Sequence, residues 1–416
     1  MDFFSYVNGE LHAEGVPVSA VAREAGTPVF IYSGAAFASG LTSLRDAFGE
    51  TPVQVCYSVK AASNLALLRK VADLGMGADI VSGGELYRTR LAGIPASRVV
   101  FSGVGKTARE MAEALDAGIM MFNLESRGEM ELLAQVASQR GAVAPVSLRV
   151  NPDVDPGTHP YVATGLKESK FGFPWGEAPE MARLALSMPS LSLVGLDCHI
   201  GSQLTSAGPF SDAVAVLAGL VAELRAAGAS LRYLDVGGGL GITYRDESPP
   251  APSEYASAVV RAAGGIEGLT LVLEPGRSVS GNACVMLARV LYIKRTPAKT
   301  FVIVDGAMND LIRPSLYGAY HELRPVAEPA PGAGLSAVSV VGPVCESGDF
   351  LARDRALPPL SPGDLVAVFG AGAYGFSMSS NYNSRPRAAE VLAEGTGWRT
   401  VRLRESYEDL ARGESV

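Results

Sequence analysis

Val53-Gln54-Val55-Cys56-Tyr57-Ser58 is a short β-rich run, and a lone lysine, Lys60, stands two residues past its end. Ser63–Ala72 then carries the apolar spacing of a helix, and Gly77–Ser82 is β-rich again. Strand, helix and strand in that order describe a parallel crossover unit. The same alternation continues through Arg98–Ser102, Ile119–Leu124, Pro145–Val150, Leu193–His199, Arg232–Val236 and Leu271–Glu274. Helix patterns such as Ala108–Ala117 and Glu125–Ala137 fill the gaps. Counting Val53–Ser58 and Gly77–Ser82, there are eight β runs, the number that closes a (β/α)8 TIM-type barrel.

Polar residues gather at one end of these runs. Lys60, Asp79 with Ser82, Ser102, Asn123 with Glu125, Asn151, His199, Gly237-Gly238-Gly239 and Glu274 all lie at or just past a C-terminal strand end. Barrels of this kind build their active sites on that rim. A site there is expected before any motif is considered.

Past residue 280 the helical spacing thins. Val285–Lys294, Thr300–Asp305, Ala337–Val341, Leu365–Phe369, Ala388–Leu392 and Trp398–Leu403 are β-rich, and Pro/Gly clusters such as Pro329–Gly334 and Pro358–Gly363 separate them. This predicts a second, mostly antiparallel β domain. Near the N-terminus, Asn8-Gly9 between Phe3–Val7 and Glu10–His12 signals a hairpin, expected to join that domain. The predicted division is a barrel over 28–278, with 1–27 and 279–416 forming the β domain.

The composition limits the function classes. With 48% hydrophobic and 19% charged residues, the 416-residue chain has the balance of a folded globular protein. A net charge of −8, without a dense Lys/Arg run, argues against a nucleic-acid surface. The start, Met1-Asp2-Phe3-Phe4, lacks the basic and apolar segments of a secretory signal, and the apolar stretch Ala213–Ala222 is too short to cross a bilayer. Cys56, Cys198, Cys284 and Cys345 lack metal-ligand spacing. The expectation is a cytoplasmic enzyme with reduced cysteines, no membrane anchor and no metal.

Several segments carry chemistry. Lysines at strand ends are ordinarily solvated, but a partly desolvated one on a barrel rim can lose its proton and attack a carbonyl. Glu274 opens Glu274-Pro275-Gly276-Arg277, where a carboxylate can hold a protonated ring nitrogen. Gly237-Gly238-Gly239 follows the seventh run, a frequent phosphate site in barrels, although a tight turn needs the same residues. His199, in His199-Ile200-Gly201-Ser202-Gln203, suits stacking on a flat cofactor or a purely structural role, and Ser202 suits donation to a phosphate. Cys345-Glu346-Ser347-Gly348-Asp349 sets a thiol beside an acid; such a cysteine serves as a proton donor or a small buried hydrophobe. Arg313, in Arg313-Pro314-Ser315-Leu316-Tyr317, suits bidentate capture of a carboxylate, and Tyr374, in Ala373-Tyr374-Gly375, offers a hydroxyl.

These segments, together with Tyr57-Ser58-Val59-Lys60-Ala61 and Asp79-Ile80-Val81-Ser82-Gly83-Gly84-Glu85-Leu86, resemble the fold-type III pyridoxal-phosphate decarboxylases. They occur in the order of the diaminopimelate-acting branch and run through nearly the whole chain. The resemblance implies pyridoxal 5'-phosphate carried on Lys60, with Asp79 among the cofactor-site residues and His199 on the ring face. It implies a phosphate cradle from Gly239, Ser202 and Gly276, with Gly237, Gly238 and Arg277 also among the cofactor-binding residues, and Glu274 at the ring nitrogen. It further implies that Arg277, Arg313 and Tyr317 bind the substrate's distal carboxylate and Glu346 its distal amine. Cys345 would return a proton, and Tyr374 would touch both cofactor and substrate. In the family the Cys-Glu segment enters the site from a second subunit, which implies a homodimer with shared active sites. Ser315 stands where the family pattern leads one to expect alanine.

The expected reaction is decarboxylation of meso-2,6-diaminopimelate at its D-centre to L-lysine and CO2. A racemase shares the architecture but gains from a weaker electron sink than an acid opposite the ring nitrogen provides. Ornithine- or lysine-type substrates lack the distal carboxylate that Arg313 suits, and a buried unmatched guanidinium is costly. A non-catalytic regulatory homologue has no need of Lys60, Glu274 and Cys345 together.

Overall fold

Eight parallel strands close into a barrel because each apolar run is followed by a helix long enough to return the chain to the same end. The computed structural model describes residues 3–154, 169–264 and 268–416; Met1 and Asp2, part of the stretch read for a targeting signal, lie outside them. Numbered in chain order, β1 (Phe4–Val7), β2 (Glu10–Ala13), β3 (Val16–Pro17) and β4 (Val29–Ser33) come first. The barrel strands follow: β5 (Val53–Ser58), β6 (Gly77–Ile80), β7 (Val99–Phe101), β8 (Met121–Leu124) and β9 (Ala144–Asn151). After the short β10 (Phe173–Pro174), which pairs with β9, come β11 (Leu191–Asp197), β12 (Tyr233–Asp235) and β13 (Thr270–Leu273). The barrel closes where β13 meets β5, with Leu271 opposite Val53. Cys56, Val100, Met121, Val194 and Val272 pack together as one buried cluster of its strands.

Local chemistry starts the helices where the rim needs them. Asn64 accepts the N–H of Ala66 (2.9 Å) and caps Leu65–Asp73, so the chain turns into a helix just after Lys60. Ser82 caps Gly83–Ala92, and Thr107 with Glu110 forms a capping box on Ala108–Ala117.

The second unit holds β14 (Cys284–Arg295), β15 (Thr300–Val304), β16 (Leu323–Pro325), β17 (Ser336–Val341), β18 (Phe350–Leu357), β19 (Leu365–Val368), β20 (Ala389–Glu394) and β21 (Gly397–Arg402). Its main sheet runs β18-β17-β15-β14-β4-β20-β21, with β19 joining β14 to β16. Pairing is antiparallel except for β15 with β17 and β4 with β20. The N-terminal hairpin turns at Asn8 (φ 52°) and Gly9 (φ 82°), the left-handed pair that the Asn-Gly signal calls for. Its Phe4 and Leu11 share a core with Ile31, Val285 and Val391.

Chain contacts divide the protein into residues 1–39, 243–247 and 279–416 on one side and 40–242 with 248–278 on the other. Residues 28–39, counted with the barrel on the sequence, therefore sit in the β unit, because β4 pairs with β14 and β20. Among the described residues no helix is long and apolar enough to cross a membrane.

Candidate active site

In the barrel unit the strand ends bring the expected residues together. Lys60 rides on a single 3-10 turn, Val59–Ala61, directly after β5. Its Nζ lies 2.8 Å from Asp79 Oδ2 at the end of β6. Ser58 Oγ is 2.8 Å from the same carboxylate oxygen and 3.0 Å from the carbonyl oxygen of Glu274. Ser58 thus links the Asp79 carboxylate that holds Lys60 to the end of β13, and the Lys60 side chain keeps 32% exposure while that of Asp79 has none.

Glu274 lies at the centre of a buried acid group. Carboxylate oxygens of Asp197, Asp235 and Glu274 all fall within 4.8 Å of one another. Asn123 Nδ2 reaches Asp235 Oδ2 (3.4 Å), and Ser102 Oγ lies 3.3 Å from Glu274 Oε1. Burial, then the charges of Asp235, Asp79 and Asp197, push the Glu274 carboxyl well above the ordinary carboxylate range. Burial pushes that of Asp235 up to about 7, against the opposing hydrogen bond from the Gly237 N–H (2.9 Å). Arg149 stands beside this group, with Nη1 2.8 Å from Glu125 Oε1 and Nε 3.8 Å from Asp197 Oδ2.

His199 Nδ1 accepts the N–H of Gly238 at 3.1 Å and lies 4.0 Å from Glu274 Oε2. Burial, followed by the charges of Lys60 and Arg149, holds its pKa well below the usual histidine value, so the ring is neutral. The glycine run is a steric necessity. A Cβ on Gly237 would meet the Cys198 carbonyl oxygen at 2.4 Å, one on Gly238 the Glu274 oxygen at 2.1 Å, and one on Gly239 the Gly201 oxygen at 2.5 Å. Gly237 (φ 65°) and Gly239 (φ 113°) also use backbone conformations that side chains disfavour. A Cβ on Gly276 would press on Ser58 and Ala61 at 3.0 Å each. Ser202 Oγ accepts from Arg277 Nε and Nη2 at 3.2 and 2.9 Å, so Arg277 is held against the candidate phosphate loop.

In the β unit, Arg313 opens the short helix Arg313–Tyr317 and is 6% exposed, with Tyr317 half-buried at the helix end. Ser315 Oγ donates to the Gly348 carbonyl (2.6 Å), tying this helix to the Cys345–Asp349 turn. Cys345 is exposed, and its backbone N–H donates to Asn383 Oδ1 (2.8 Å). The Tyr382 hydroxyl hydrogen-bonds Glu346. Tyr374 takes a left-handed backbone (φ 59°) between buried Ala373 and Gly375.

The Arg149–Glu125 pair, the acids Asp197 and Asp235, and Asn383 do not stand out in the sequence as site residues. Neither do His321 and Tyr244, which contact Arg313. For Asp197 and Asp235 a signal existed: each ends a barrel strand facing the rim.

Residues 35–281 match the family model described as pyridoxal-dependent decarboxylase, pyridoxal binding domain. Over 416 residues the chain is 52% identical to diaminopimelate decarboxylase from Pseudomonas aeruginosa, covering 100% of this chain and 99% of the relative. The chain belongs to the diaminopimelate decarboxylase family. The crystal structure of diaminopimelate decarboxylase from Helicobacter pylori complexed with L-lysine is similar at TM-score 0.91 and 42% identity, over 95% of this chain and 98% of that one. That from M. jannaschii in co-complex with L-lysine is similar at TM-score 0.94 and 37% identity, over 100% and 98%.

Pyridoxal phosphate is the family's cofactor, and the residues here fit it. The barrel mouth offers a lysine amine, a glycine loop that admits no side chain, and a surplus of buried acceptors. Asp79 Oδ1, Asn123 Oδ1 and Asp197 Oδ1 find no hydrogen-bond partner among the described residues. A protonated ring nitrogen is the kind of donor that this acid group favours.

Proposed function

We propose that the protein decarboxylates meso-2,6-diaminopimelate at its D-centre, giving L-lysine and CO2. The observation that carries this reading is the end-to-end likeness to diaminopimelate decarboxylases, 52% identity across the entire chain. Lys60 would carry pyridoxal phosphate, with Glu274 at the ring nitrogen and His199 against the ring face. Gly237, Gly238, Gly239, Ser202 and Gly276 would receive the phosphate, and Asp79 would orient Lys60. The cofactor supplies an electron sink for the pair left behind when the carboxylate departs.

The chain's own groups do the rest. Arg277, Arg313 and Tyr317 would bind the distal carboxylate and Glu346 the distal amine, which sets the D-centre over the reacting position. Tyr374 would contact both cofactor and substrate. As the C–C bond to the carboxylate breaks and CO2 leaves, the electron pair stays with the α-carbon. Cys345 Sγ–H then delivers its proton to that carbon. The Cys345–Glu346 turn would serve the site of a second copy, making the working form a cytoplasmic homodimer.

The test is CO2 release and lysine formation from meso-diaminopimelate, L,L-diaminopimelate, L-lysine and L-ornithine by the cofactor-loaded protein. Release from the meso isomer alone is expected. Release from ornithine or lysine instead would overturn the assignment of the distal head group.

A further inference from the structure

His321 precedes β16 and Phe369 follows β19, two strands paired antiparallel with Leu323 opposite Val368. The Phe369 N–H donates to the Glu322 carbonyl at 2.8 Å, which extends the pairing to its end. This brings His321 Nδ1 to 2.8 Å from the Phe369 carbonyl oxygen. On the other side of the fully buried ring, Nε2 lies 2.9 Å from Arg313 Nη1. A carbonyl oxygen only accepts and a guanidinium only donates. Both contacts are therefore made by one form of the ring, the neutral tautomer with its hydrogen on Nδ1 and its lone pair on Nε2.

The guanidinium is fixed on a second side. The Tyr244 ring lies with its centroid 4.8 Å from Arg313 Cζ, and it meets the His321 ring edge to face at 5.4 Å. Gly370 makes room for that ring: a Cβ there would come within 3.1 Å of Tyr244 Cε1. One contact on an edge and one on a face remove the rotational freedom of a planar fork.

We propose that His321 is a positioning residue for substrate recognition, accepting one N–H of Arg313 and so aiming the remaining N–H groups at the substrate's distal carboxylate. This rests on the role given to Arg313 above. Immobilising the fork before the substrate arrives lowers the ordering cost of each binding event. The effect is confined to ligands that carry that carboxylate. L-lysine keeps the distal carboxylate and amine of the substrate, whereas cadaverine keeps only the amine.

The experiment compares wild-type, His321→Leu, His321→Asn and His321→Gln holoenzymes. It measures KM for meso-diaminopimelate and inhibition constants for L-lysine and cadaverine. Leu removes both ring contacts. Asn keeps a donor for the Phe369 carbonyl but removes the acceptor that Nε2 offers Arg313, and Gln places an amide oxygen where Nε2 stood. KM and the L-lysine constant are expected to rise roughly ten- to hundred-fold in His321→Leu and His321→Asn, the worth of one hydrogen bond to a charged group. The cadaverine constant should stay unchanged, and His321→Gln should recover most of the loss. If His321→Leu does not fold, the Asn and Gln variants decide the matter. Equal weakening of L-lysine and cadaverine, or no weakening of L-lysine in His321→Asn, would overturn the role. A wild-type holoenzyme that releases no CO2 from meso-diaminopimelate would instead overturn the substrate assignment.

Discussion

Lys60 Nζ lies 2.8 Å from Asp79 Oδ2, an ammonium with partial access to water paired to a carboxylate that has none. The two partners differ in what they lose when the pair is broken. Asp79→Asn removes a buried charge, while Lys60 can turn to solvent. The variant should melt within a few degrees of wild type. Turnover should fall roughly ten- to hundred-fold as the amine loses its orienting acceptor. Calorimetry and CO2 release on the same preparation check both halves, and unchanged turnover refutes the orienting role.

Glu274→Gln separates stability from activity in the opposite sense. Its carboxyl is pushed well up by burial and by Asp235, Asp79 and Asp197, against the opposing charge of Lys60, so holding it ionised in the folded chain is costly. The cofactor-free variant should be more stable than wild type near pH 8, where wild type bears that cost. The loaded variant should retain its cofactor absorbance and lose about 10²- to 10³-fold in turnover, the range for removing one preorganised electrostatic partner.

Asp310 gives a pH signature in the β unit. Burial raises its carboxyl to about 7, although its Oδ2 accepts the Ala307 N–H at 3.0 Å. The unfolded chain releases this proton near pH 4 and the folded one near pH 7. The contribution is therefore fully present below about pH 4 and is lost as pH rises to about 7, by at most about 1.4 kcal/mol per pH unit. Urea unfolding of the cofactor-free protein across that window should show Asp310→Asn gaining on wild type as pH rises. Parallel curves would exclude the effect.

Arg149→Met should destabilise the barrel by about 3–5 kcal/mol, because the buried Glu125 carboxylate loses its ion-pair partner. Adding Glu125→Gln should recover part of the loss, since the side-chain amide oxygen still accepts the Gly103 N–H that Oε1 accepts now (3.0 Å). Denaturant midpoints of the single and double variants measure the coupling.

All eight barrel strands were legible because each is a short apolar run between helical stretches, and a parallel sheet buried on both faces leaves that pattern in the sequence. Val29–Ser33 was not among the β runs read from the sequence, and its pairing with β14 and β20 depends on residues more than 250 positions away. Phe350–Leu357 was missed because Phe-Leu-Ala-Arg-Asp-Arg-Ala-Leu is rich in helix formers, and pairing with β17 overrides that preference. At the site, Lys60, Glu274 and the glycines stood out by their position at strand ends. His321 did not, because what marks it is the carbonyl of Phe369 on one side and Arg313 on the other, contacts made only once β16 and β19 pair.

The packing of the glycine rim bears on how such an enzyme can diversify. Gly237, Gly238 and Gly239 fill the space between the Cys198, Gly201 and Glu274 backbones with no allowance for a single methyl group. Substitution there strikes main-chain oxygens, which no repacking of side chains relieves. Random variation is therefore purged at this edge whatever it would do for selectivity. The Arg313–Tyr317 helix and the Cys345–Asp349 turn are joined instead by a side-chain hydroxyl, that of Ser315. A library aimed at new amino-acid head groups gains more from varying those two segments than from any position along the rim.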